Sequence, residues 1–313
     1  MYRKILVFFY LIFKKGGRAL TLEIKQLSKN FGVTIAVNEL SLTLPTGRVL
    51  GLLGRNGAGK TTTIKMLLGL LTPTNGEITW KGAPFKTDKV KIGYLPEERG
   101  LFTKSKVVDQ LKYFGKLEGM SNKEVDIAIT YWLDRLEIPH YRNKKAGELS
   151  KGNQQKIQLI VTLLHNPELI ILDEPFSGLD PVNAELMASI ITEQIQKGKT
   201  VILSSHRMDQ VEAFCEHVCI LKNGNVVAEG SLSRLKEDYG YRNLILEDLT
   251  SIKQILDSNH VSYEQKQLGI YVKVKSDEEA FSILNRIKSD LGSIKKFQLL
   301  EPTLNDIFIE RAK

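Results

Sequence analysis

A glycine-rich loop at residues 54–62 is the strongest chemical signal in this sequence. It reads Gly-Arg-Asn-Gly-Ala-Gly-Lys-Thr-Thr, and its glycines allow consecutive backbone N–H groups to turn inward around a phosphate chain. Lys60 can reach the terminal phosphates, and the Thr61 hydroxyl can ligate Mg²⁺. The alternative is a glycine-rich turn that precedes Lys-Thr by chance. The expected phosphate-binding residues are Gly54, Arg55, Asn56, Gly57, Ala58, Gly59, Lys60, Thr61 and Thr62.

A second chemical signal is the acidic pair Asp173-Glu174, which follows the apolar run at residues 169–172. An acidic residue at the carboxyl end of a central parallel strand faces the crevice where α/β sheets bind ligands. Asp173 is expected to hold Mg²⁺, directly or through water, and Glu174 to accept the proton of an attacking water. The alternative is that Asp173 and Glu174 are an ordinary solvated acidic pair at a strand end. The glycine-rich loop at residues 54–62 favours the functional interpretation over this alternative.

The elements that must position these groups are short buried strands. Residues 48–53 and 169–172 are almost continuously apolar, as strands covered on both faces of a parallel sheet are. A third apolar strand, residues 201–205, ends in two serines just before His206. A helix predicted over residues 62–71 follows the glycine-rich loop, so that its N-terminus adds partial positive charge beside a bound phosphate.

Two more motifs complete a set of five: Leu-Ser-Lys-Gly-Asn at residues 149–153 and Ser-Gly-Leu-Asp at residues 177–180. Ser150 and the Gly152 N–H would open a helix whose first turn carries unpaired donors, although Ser150 could also be an ordinary N-cap. Along the chain the order is the glycine-rich loop, the segment at residues 149–153, the acidic pair, the segment at residues 177–180 and the lone His206. Together, in this order, they resemble the ATP-binding cassette of ABC transporters. The resemblance covers roughly residues 20–230.

The resemblance implies a head-to-tail dimer, of two identical or two different ATPase subunits, with two shared sites. In the family, the segment at residues 149–153 contacts the γ-phosphate held by the opposite subunit, and Asp180 belongs to a loop that joins the subunits. The family usually has glycine and glutamine where this chain has Lys151 and Asn153. The residues expected to act across the dimer are Ser150, Lys151, Gly152 and Asn153.

Three further roles rest on the same resemblance. His206 matches a histidine that contacts the γ-phosphate and shares the catalytic role with Glu174. Phe31 matches an aromatic residue that stacks on adenine, with Val37 beside it in the expected ATP site; a core position is the alternative for Phe31. Glu97 stands where glutamine is usual and remains a good Mg²⁺ ligand, so it joins Thr61 and Asp173 as an expected metal ligand.

The expected fold is α/β: a P-loop NTPase cassette at residues 20–235 with an antiparallel β subdomain and a helical subdomain. The antiparallel strands are expected at residues 22–46, around a turn at Gly32. The helical subdomain is expected at about residues 98–165, with residues 98–147 mainly helical. A capping box at Ser121–Glu124 precedes an apolar stripe typical of an amphipathic helix.

A small α+β domain is expected at residues 241–313, with the β-α-β-β-α-β order of a ferredoxin-like unit. No catalytic set of residues is found in it. Its predicted strands are residues 244–246, 261–264, 269–274 and 294–299, and its predicted helices are residues 251–258 and 277–291.

The net charge of +8 does not predict nucleic-acid binding. Five of the positive charges precede Glu23, the first acidic residue, which leaves an unremarkable +3 for the rest. Residues 1–19 are expected to be a non-native or unstructured extension, because Lys15-Gly16-Gly17 can be encoded as a ribosome-binding sequence and Leu20 as an alternative start codon. An amphipathic membrane-surface anchor is the alternative for this segment.

The two cysteines, Cys215 and Cys219, flank His217 and could be metal ligands. Cys215 is predicted on an amphipathic helix and Cys219 on a strand that enters the Asn223-Gly224 hairpin. Buried free thiols are therefore the favoured interpretation.

The resemblance implies an ATPase that uses MgATP and drives a separate transmembrane permease from the cytoplasmic face of the membrane. The run at residues 93–101 and the tail at residues 301–308 resemble ABC-2-type exporter ATPases. Two rival interpretations are soluble: a ribosome-associated ABC protein, which usually has two cassettes, and a repair-type ATPase, which has a long inserted coiled coil. No nucleic-acid partner is expected.

Overall fold

The computed structural model describes residues 20–98, 100–266, 269–294 and 296–311, so the extension predicted at residues 1–19 lies outside it. Three β-sheets organise the described chain. The strands are β1 (Leu20–Phe31), β2 (Thr34–Pro45), β3 (Val49–Leu53), β4 (Asn75–Trp80), β5 (Ala83–Pro84), β6 (Ile92–Leu95), β7 (Leu169–Asp173), β8 (Thr200–Ser205), β9 (His217–Lys222), β10 (Asn225–Ser231), β11 (Arg242–Leu246), β12 (Glu264–Lys266), β13 (Gly269–Val274) and β14 (Phe297–Leu300). The α-helices are α1 (Lys60–Leu67), α2 (Val107–Leu117), α3 (Asn122–Arg135), α4 (Lys151–Leu163), α5 (Pro181–Gln196), α6 (Met208–Phe214), α7 (Leu232–Tyr239), α8 (Thr250–Ser258), α9 (Asp277–Leu291) and α10 (Leu304–Arg311).

The central sheet has the strand order β10-β9-β3-β8-β7-β6. Strands β9, β3, β8, β7 and β6 are mutually parallel, and only β10 runs against its neighbour. Every residue of β3, β7 and β8 is buried, which explains why these strands are apolar along their whole length. Because the strands are parallel, the loops that follow β3, β6, β7 and β8 all emerge at one edge of the sheet.

A separate antiparallel sheet has the order β2-β1-β4-β5 and confirms the antiparallel strands predicted around Gly32. Its buried face carries Leu22, Ile24 and Leu42, which belong to the same core as Leu50 and Leu52 of β3. This packing places the β1–β2 hairpin beside the loop that follows β3.

The helical region is α2, α3 and α4. The predicted capping box is present, since the Glu124 N–H donates to the Ser121 hydroxyl and the Ser121 N–H donates to the Glu124 carboxylate. The apolar stripe of α3 is buried, as predicted. The prediction of helix over most of residues 98–147 was wrong, because residues 136–150 form a connection with two short 3₁₀ turns, Pro139–Tyr141 and Ala146–Glu148.

The helix after the glycine-rich loop begins at Lys60 and ends at Leu67, whereas residues 62–71 were predicted. It ends early because Gly69 adopts a left-handed conformation (φ +67°), and the N–H groups of Leu70 and Leu71 both turn back to the Lys65 carbonyl. The helix therefore begins two residues before the predicted range and ends four residues before the end of that range.

The C-terminal unit contains β11 to β14, α8 and α9. Its sheet has the order β12-β13-β11-β14 with every neighbouring pair antiparallel, which is the topology of the predicted ferredoxin-like unit. Three strands begin elsewhere than predicted: β11 at Arg242 instead of residue 244, β12 at Glu264 instead of residue 261, and β14 at Phe297 instead of residue 294.

The last helix, α10, leaves this unit and packs on the cassette. Its buried residues Leu304, Ile307 and Phe308 belong to the same core as Val211 of α6 and Leu235 of α7. The Leu304 N–H also donates to the Glu212 carboxylate of α6 (3.2 Å). The cassette core is therefore completed by residues near the end of the chain.

Candidate nucleotide-binding site

A cavity of about 290 Å³ opens at the edge of the central sheet where the strands end. It brings together three segments predicted to act on a nucleotide: the glycine-rich loop after β3, the acidic pair after β7 and Glu97 after β6. Its lining residues are Ala36, Arg55, Asn56, Gly57, Ala58, Gly59, Lys60, Thr61, Thr62, Glu97, Asp173 and Glu174.

The shape of the loop depends on glycine at two positions. Gly54 has φ +153°, and a Cβ atom there would lie 2.6 Å from the Leu221 carbonyl oxygen. Gly59 has φ +109°, and a Cβ there would lie 2.6 Å from the Ala36 carbonyl oxygen. Larger residues at either position would push the loop away from its supports, which is why the motif needs glycine there.

Two neighbouring backbone segments hold the loop from behind. The Gly224 N–H donates to the Ala58 carbonyl (3.1 Å), and the Asn38 N–H donates to the Gly224 carbonyl (2.8 Å), so the β9–β10 turn bridges the loop and β2. Val37, expected in the ATP site, is fully buried, and its Cγ2 atom lies 3.4 Å from the position a Cβ of Gly59 would take. Its neighbour Ala36 lines the cavity instead, and no side-chain pattern in the sequence marks that residue.

Lys60 is buried at the bottom of the cavity. Its Nζ atom donates to the Gly54 carbonyl at 2.7 Å and lies 3.9 Å from Oε1 of Glu174. The ammonium group is thus held among the loop carbonyls and one carboxylate, on the side of the cavity where phosphate would lie.

Asp173 is buried at the end of β7 and accepts a short hydrogen bond from the Ser204 hydroxyl of β8. Burial raises the pKa of Asp173, and the neighbouring Glu174 charge adds to the rise, while the Ser204 hydrogen bond and Lys60 oppose it. Burial, together with the charges of Asp173 and Glu97, also raises the pKa of Tyr94 to about 12. The Tyr94 hydroxyl beside these acids therefore stays protonated near neutral pH.

Glu174 is buried, in a left-handed backbone conformation (φ +49°), and its carboxylate turns toward the end of β8. Oε1 accepts hydrogen bonds from the His206 N–H (2.9 Å) and is 2.8 Å from His206 Nδ1. Oε2 accepts a hydrogen bond from the Ser205 hydroxyl (3.2 Å). The predicted base and the predicted histidine are therefore direct neighbours.

The three expected metal ligands, Thr61, Asp173 and Glu97, all line the cavity. They offer one hydroxyl and two carboxylates, which are oxygen donors of the kind Mg²⁺ prefers. The residues present therefore fit a magnesium ion beside a triphosphate, where Lys60 is already placed.

Phe31 lies at the end of β1 and is not a core residue, because it is 51% exposed. The Lys29 ammonium lies 5.4 Å from its ring centroid. Phe31 is outside the described cavity lining, on a surface that remains open to a flat ligand. Its stacking on adenine stays a prediction.

The segment at residues 149–153 also lies outside the described cavity lining. Ser150 is the N-cap of α4 and accepts a hydrogen bond from the Asn153 N–H (3.4 Å). A Cβ on Gly152 would lie 3.0 Å from the amide nitrogen of Asn183, in the first turn of α5. Asp180 caps that helix through the Asn183 N–H (2.9 Å), so the two predicted dimer-contact segments adjoin each other in one subunit.

Two buried glutamines of α4 connect this segment to the nucleotide cavity, a link that the sequence did not suggest. The Gln155 amide donates to the Pro175 carbonyl, just after the acidic pair, at 3.2 Å. The Gln158 amide donates to the Glu98 carbonyl, next to Glu97, also at 3.2 Å. Helix α4 is thereby tied to both acidic segments of the site.

Cys215 and Cys219 are buried free thiols, as predicted. Burial raises the pKa of both, that of Cys219 to about 12. Both groups therefore stay protonated near neutral pH.

Within the described ranges, the structure contains no helix with the length and hydrophobicity that crossing a bilayer requires. The hydrophobic residues of the cassette are divided between its two cores instead.

The family model described as "ABC transporter" matches residues 37–177, and the model described as "ATP-binding protein DrrA1-3-like, C-terminal domain" matches residues 230–312. A Bacillus subtilis protein named "Uncharacterized ABC transporter ATP-binding protein YhaQ" is 46% identical over 93% of this chain and 98% of its own.

Two further matches are informative. The "Nod factor export ATP-binding protein I" of Cupriavidus pinatubonensis is 33% identical over 67% of this chain and 66% of its own. A solved structure titled "Structure of ATP binding subunit of ABC transporter" superposes with a TM-score of 0.65 at 30% identity, and the match covers 70% of this chain and 93% of that one.

Proposed function

This chain belongs to the ATP-binding proteins of ABC transporters, a family that hydrolyses ATP, and we propose that it couples hydrolysis to export through a separate permease. The observation that carries the hydrolysis step of the proposal is the cavity that joins the glycine-rich loop, the acidic pair and Glu97. The name of the Nod factor export relative supports the direction of transport.

The proposed roles follow from the geometry of the cavity. The loop N–H groups and Lys60 bind the phosphates, and Thr61, Asp173 and Glu97 hold Mg²⁺, which when bound neutralises phosphate charge. Glu174 accepts the proton of the attacking water, and His206 contacts the γ-phosphate from the adjoining strand end. Phe31, exposed at the end of β1, would stack on adenine, and the fully buried Val37 would support the loop at Gly59 from behind.

We assign the segment at residues 149–153 and Asp180 to a dimer interface. A γ-phosphate needs several donors around it, and the partly exposed first turn of α4 supplies such donors outside its own subunit's described cavity lining. Ser150, Lys151, Gly152 and Asn153 of one subunit would complete the site of its partner.

The surface proposed to meet the permease lies on the helical region. Phe102 is 53% exposed and stacks on Phe114, with ring centroids 6.1 Å apart, and Tyr113 beside them is also exposed. The Gln110 amide bonds both the N–H and the carbonyl of Phe102, which fixes the loop after Glu97 onto α2. An exposed aromatic patch a few residues from a nucleotide-facing carboxylate suits a partner that must sense the nucleotide.

Co-expression with candidate permeases tests the proposal. Wild-type protein should co-purify with its permease in membranes and hydrolyse ATP faster in the complex. Phe102→Ser should lose both properties and keep the hydrolysis rate of the isolated subunit. Phe281→Ser removes a phenylalanine of similar exposure (55%) from α9 and should behave like wild type.

A complex that forms equally well with Phe102→Ser would refute the proposed docking surface. The soluble ribosome-associated or repair-type alternative predicts instead that the protein sediments with ribosomes or DNA and does not co-purify with the permease. The named relatives are transporter proteins, and no nucleic-acid partner is proposed.

A further inference from the structure

Two consecutive serines at the end of β8 face two consecutive acids at the end of β7. The strands are parallel and adjacent, with Asp173 in register with Ser204. All four side chains are buried, and the two acids line the nucleotide cavity. The proposed mechanism uses the acids and leaves both serines unassigned.

Ser204 serves the first acid. Its hydroxyl donates to Oδ1 of Asp173. The Ser204 Oγ atom also accepts a hydrogen bond from the Glu174 N–H (3.3 Å). The Glu174 N–H is also 3.2 Å from the Ser204 carbonyl. One hydroxyl therefore fixes Oδ1 of Asp173 and the backbone of the next residue, so Oδ2 is the oxygen without a partner in the described structure.

Ser205 serves the second acid. Its hydroxyl donates to Oε2 of Glu174 (3.2 Å) and accepts a hydrogen bond from the Arg207 N–H (3.0 Å). Oε1 already has two contacts with His206. Since a carboxylate oxygen has two acceptor positions, Oε1 is saturated, whereas Oε2 keeps one position for a water molecule.

We propose that Ser204 and Ser205 are positioning residues with separate tasks: Ser204 orients Asp173 toward the metal, and Ser205 orients Oε2 of Glu174 toward the attacking water. The inference rests on the proposed roles of Asp173 and Glu174. A hydrogen bond to a charged group orients it and contributes to its stability, so loss of either hydroxyl should affect only the acid it contacts.

The test compares Ser204→Ala and Ser205→Ala by three measurements: kcat at saturating MgATP, the dissociation constant of ATP, and the Mg²⁺ concentration for half-maximal rate. Ser205→Ala should lower kcat about tenfold, the effect of one hydrogen bond to a charged group, with the other two measurements within about twofold. Ser204→Ala should raise the half-maximal Mg²⁺ concentration by a similar factor and recover its kcat in excess Mg²⁺.

Two controls separate positioning from general damage to the strand. Ser205→Thr and Ser204→Thr keep the hydroxyl and should restore wild-type values. Thr200→Val removes a buried hydroxyl from the opposite end of β8, where it accepts a hydrogen bond from the Gly47 N–H, and should leave all three measurements unchanged.

Wild-type kinetics in either alanine variant would overturn the inference for that serine, as would failure of the matching threonine variant to restore activity. One shared defect in both alanine variants and Thr200→Val would overturn it for both. Glu174→Gln is measured in the same assay: if that variant hydrolyses ATP normally, the assigned base is wrong. If Glu174→Gln is inactive and Ser205→Ala is normal, only the role of Ser205 fails.

Discussion

Two atoms of His206, the backbone nitrogen at 2.9 Å and Nδ1 at 2.8 Å, contact the same carboxylate oxygen of Glu174. The residues are 32 positions apart in the chain and meet because β7 and β8 are adjacent in the sheet. The contact fixes the orientation of a buried carboxylate and leaves the histidine side chain 52% exposed beside it. It also explains why the two residues should act as one unit.

Glu174→Gln should lower the hydrolysis rate by about 10²–10⁴-fold and retain ATP binding, because it removes the base and keeps the shape. The amide oxygen can still accept from His206, and the amide nitrogen can donate to Ser205. ATP should therefore hold the variant as a dimer, measured by size-exclusion chromatography with and without nucleotide. Wild-type turnover in this variant would contradict the assignment of Glu174.

Ser150→Arg should abolish turnover and leave the affinity of the monomer for ATP nearly unchanged, because Ser150 lies outside its own subunit's described cavity lining. Lys60→Ala should lower that affinity, since Lys60 lines the cavity. A mixture of the two inactive proteins should recover at most one working site per heterodimer, detected as partial ATPase activity. If both variants lose ATP affinity equally, Ser150 does not act across a dimer.

Ile307→Ala should reduce the free energy of unfolding by about 2–5 kcal/mol, because this side chain of α10 is fully buried in the cassette core. Ile309→Ala, in the same helix but 50% exposed, should change it by less than about 0.5 kcal/mol. Urea unfolding followed by circular dichroism distinguishes the two. Equal losses would mean that α10 does not dock on the cassette in solution.

The pH dependence of stability should reflect His165, which is buried beside β6. Burial lowers its pKa, and Lys91 and Lys199 add to this, while Glu118 and the Ile92 carbonyl oppose it. The unfolded chain, with a histidine pKa of about 6.5, then binds more protons than the folded protein just below that pH. The free energy of unfolding should therefore fall as pH decreases through about 6.5 toward the folded-state pKa.

His165→Gln keeps a donor for the Ile92 carbonyl and removes the titrating group. Its free energy of unfolding should depend less steeply on pH between about 5 and 7 than that of the wild type. Parallel curves for the two proteins, measured by denaturant unfolding, would exclude His165 as a source of the pH dependence.

The sequence predicted correctly those strands that are recognisable from a short continuous run of apolar residues. Strands β3, β7 and β8 are continuous apolar runs because both of their faces are covered, and the loop after β3 is recognisable from its glycines. The order of the strands is not local, so neither the contact of Glu174 with both Ser205 and His206 nor the position of Ala36 in the cavity lining could be derived beforehand.

The shifted C-terminal strands have a related cause. Val261 and Ile294 are apolar residues that pack on the C-terminal core from connecting segments, and their pattern is typical of strand residues. The Val261 N–H instead bonds the Leu256 carbonyl and closes α8. Apolar periodicity indicates that a residue is buried, but it does not distinguish a residue in a strand from one in the adjoining turn.

The docking of α10 on α6 and α7 has a consequence for synthesis of the protein. A ribosome makes the cassette at residues 20–235 first, yet Leu304, Ile307 and Phe308 fill part of its core and are translated about 70 residues later. Until those residues leave the ribosomal exit tunnel, the nascent cassette exposes the apolar surface around Val211 and Leu235. The nucleotide-binding part of this molecule can therefore complete its folding only after residues 304–308 have been translated and released from the tunnel.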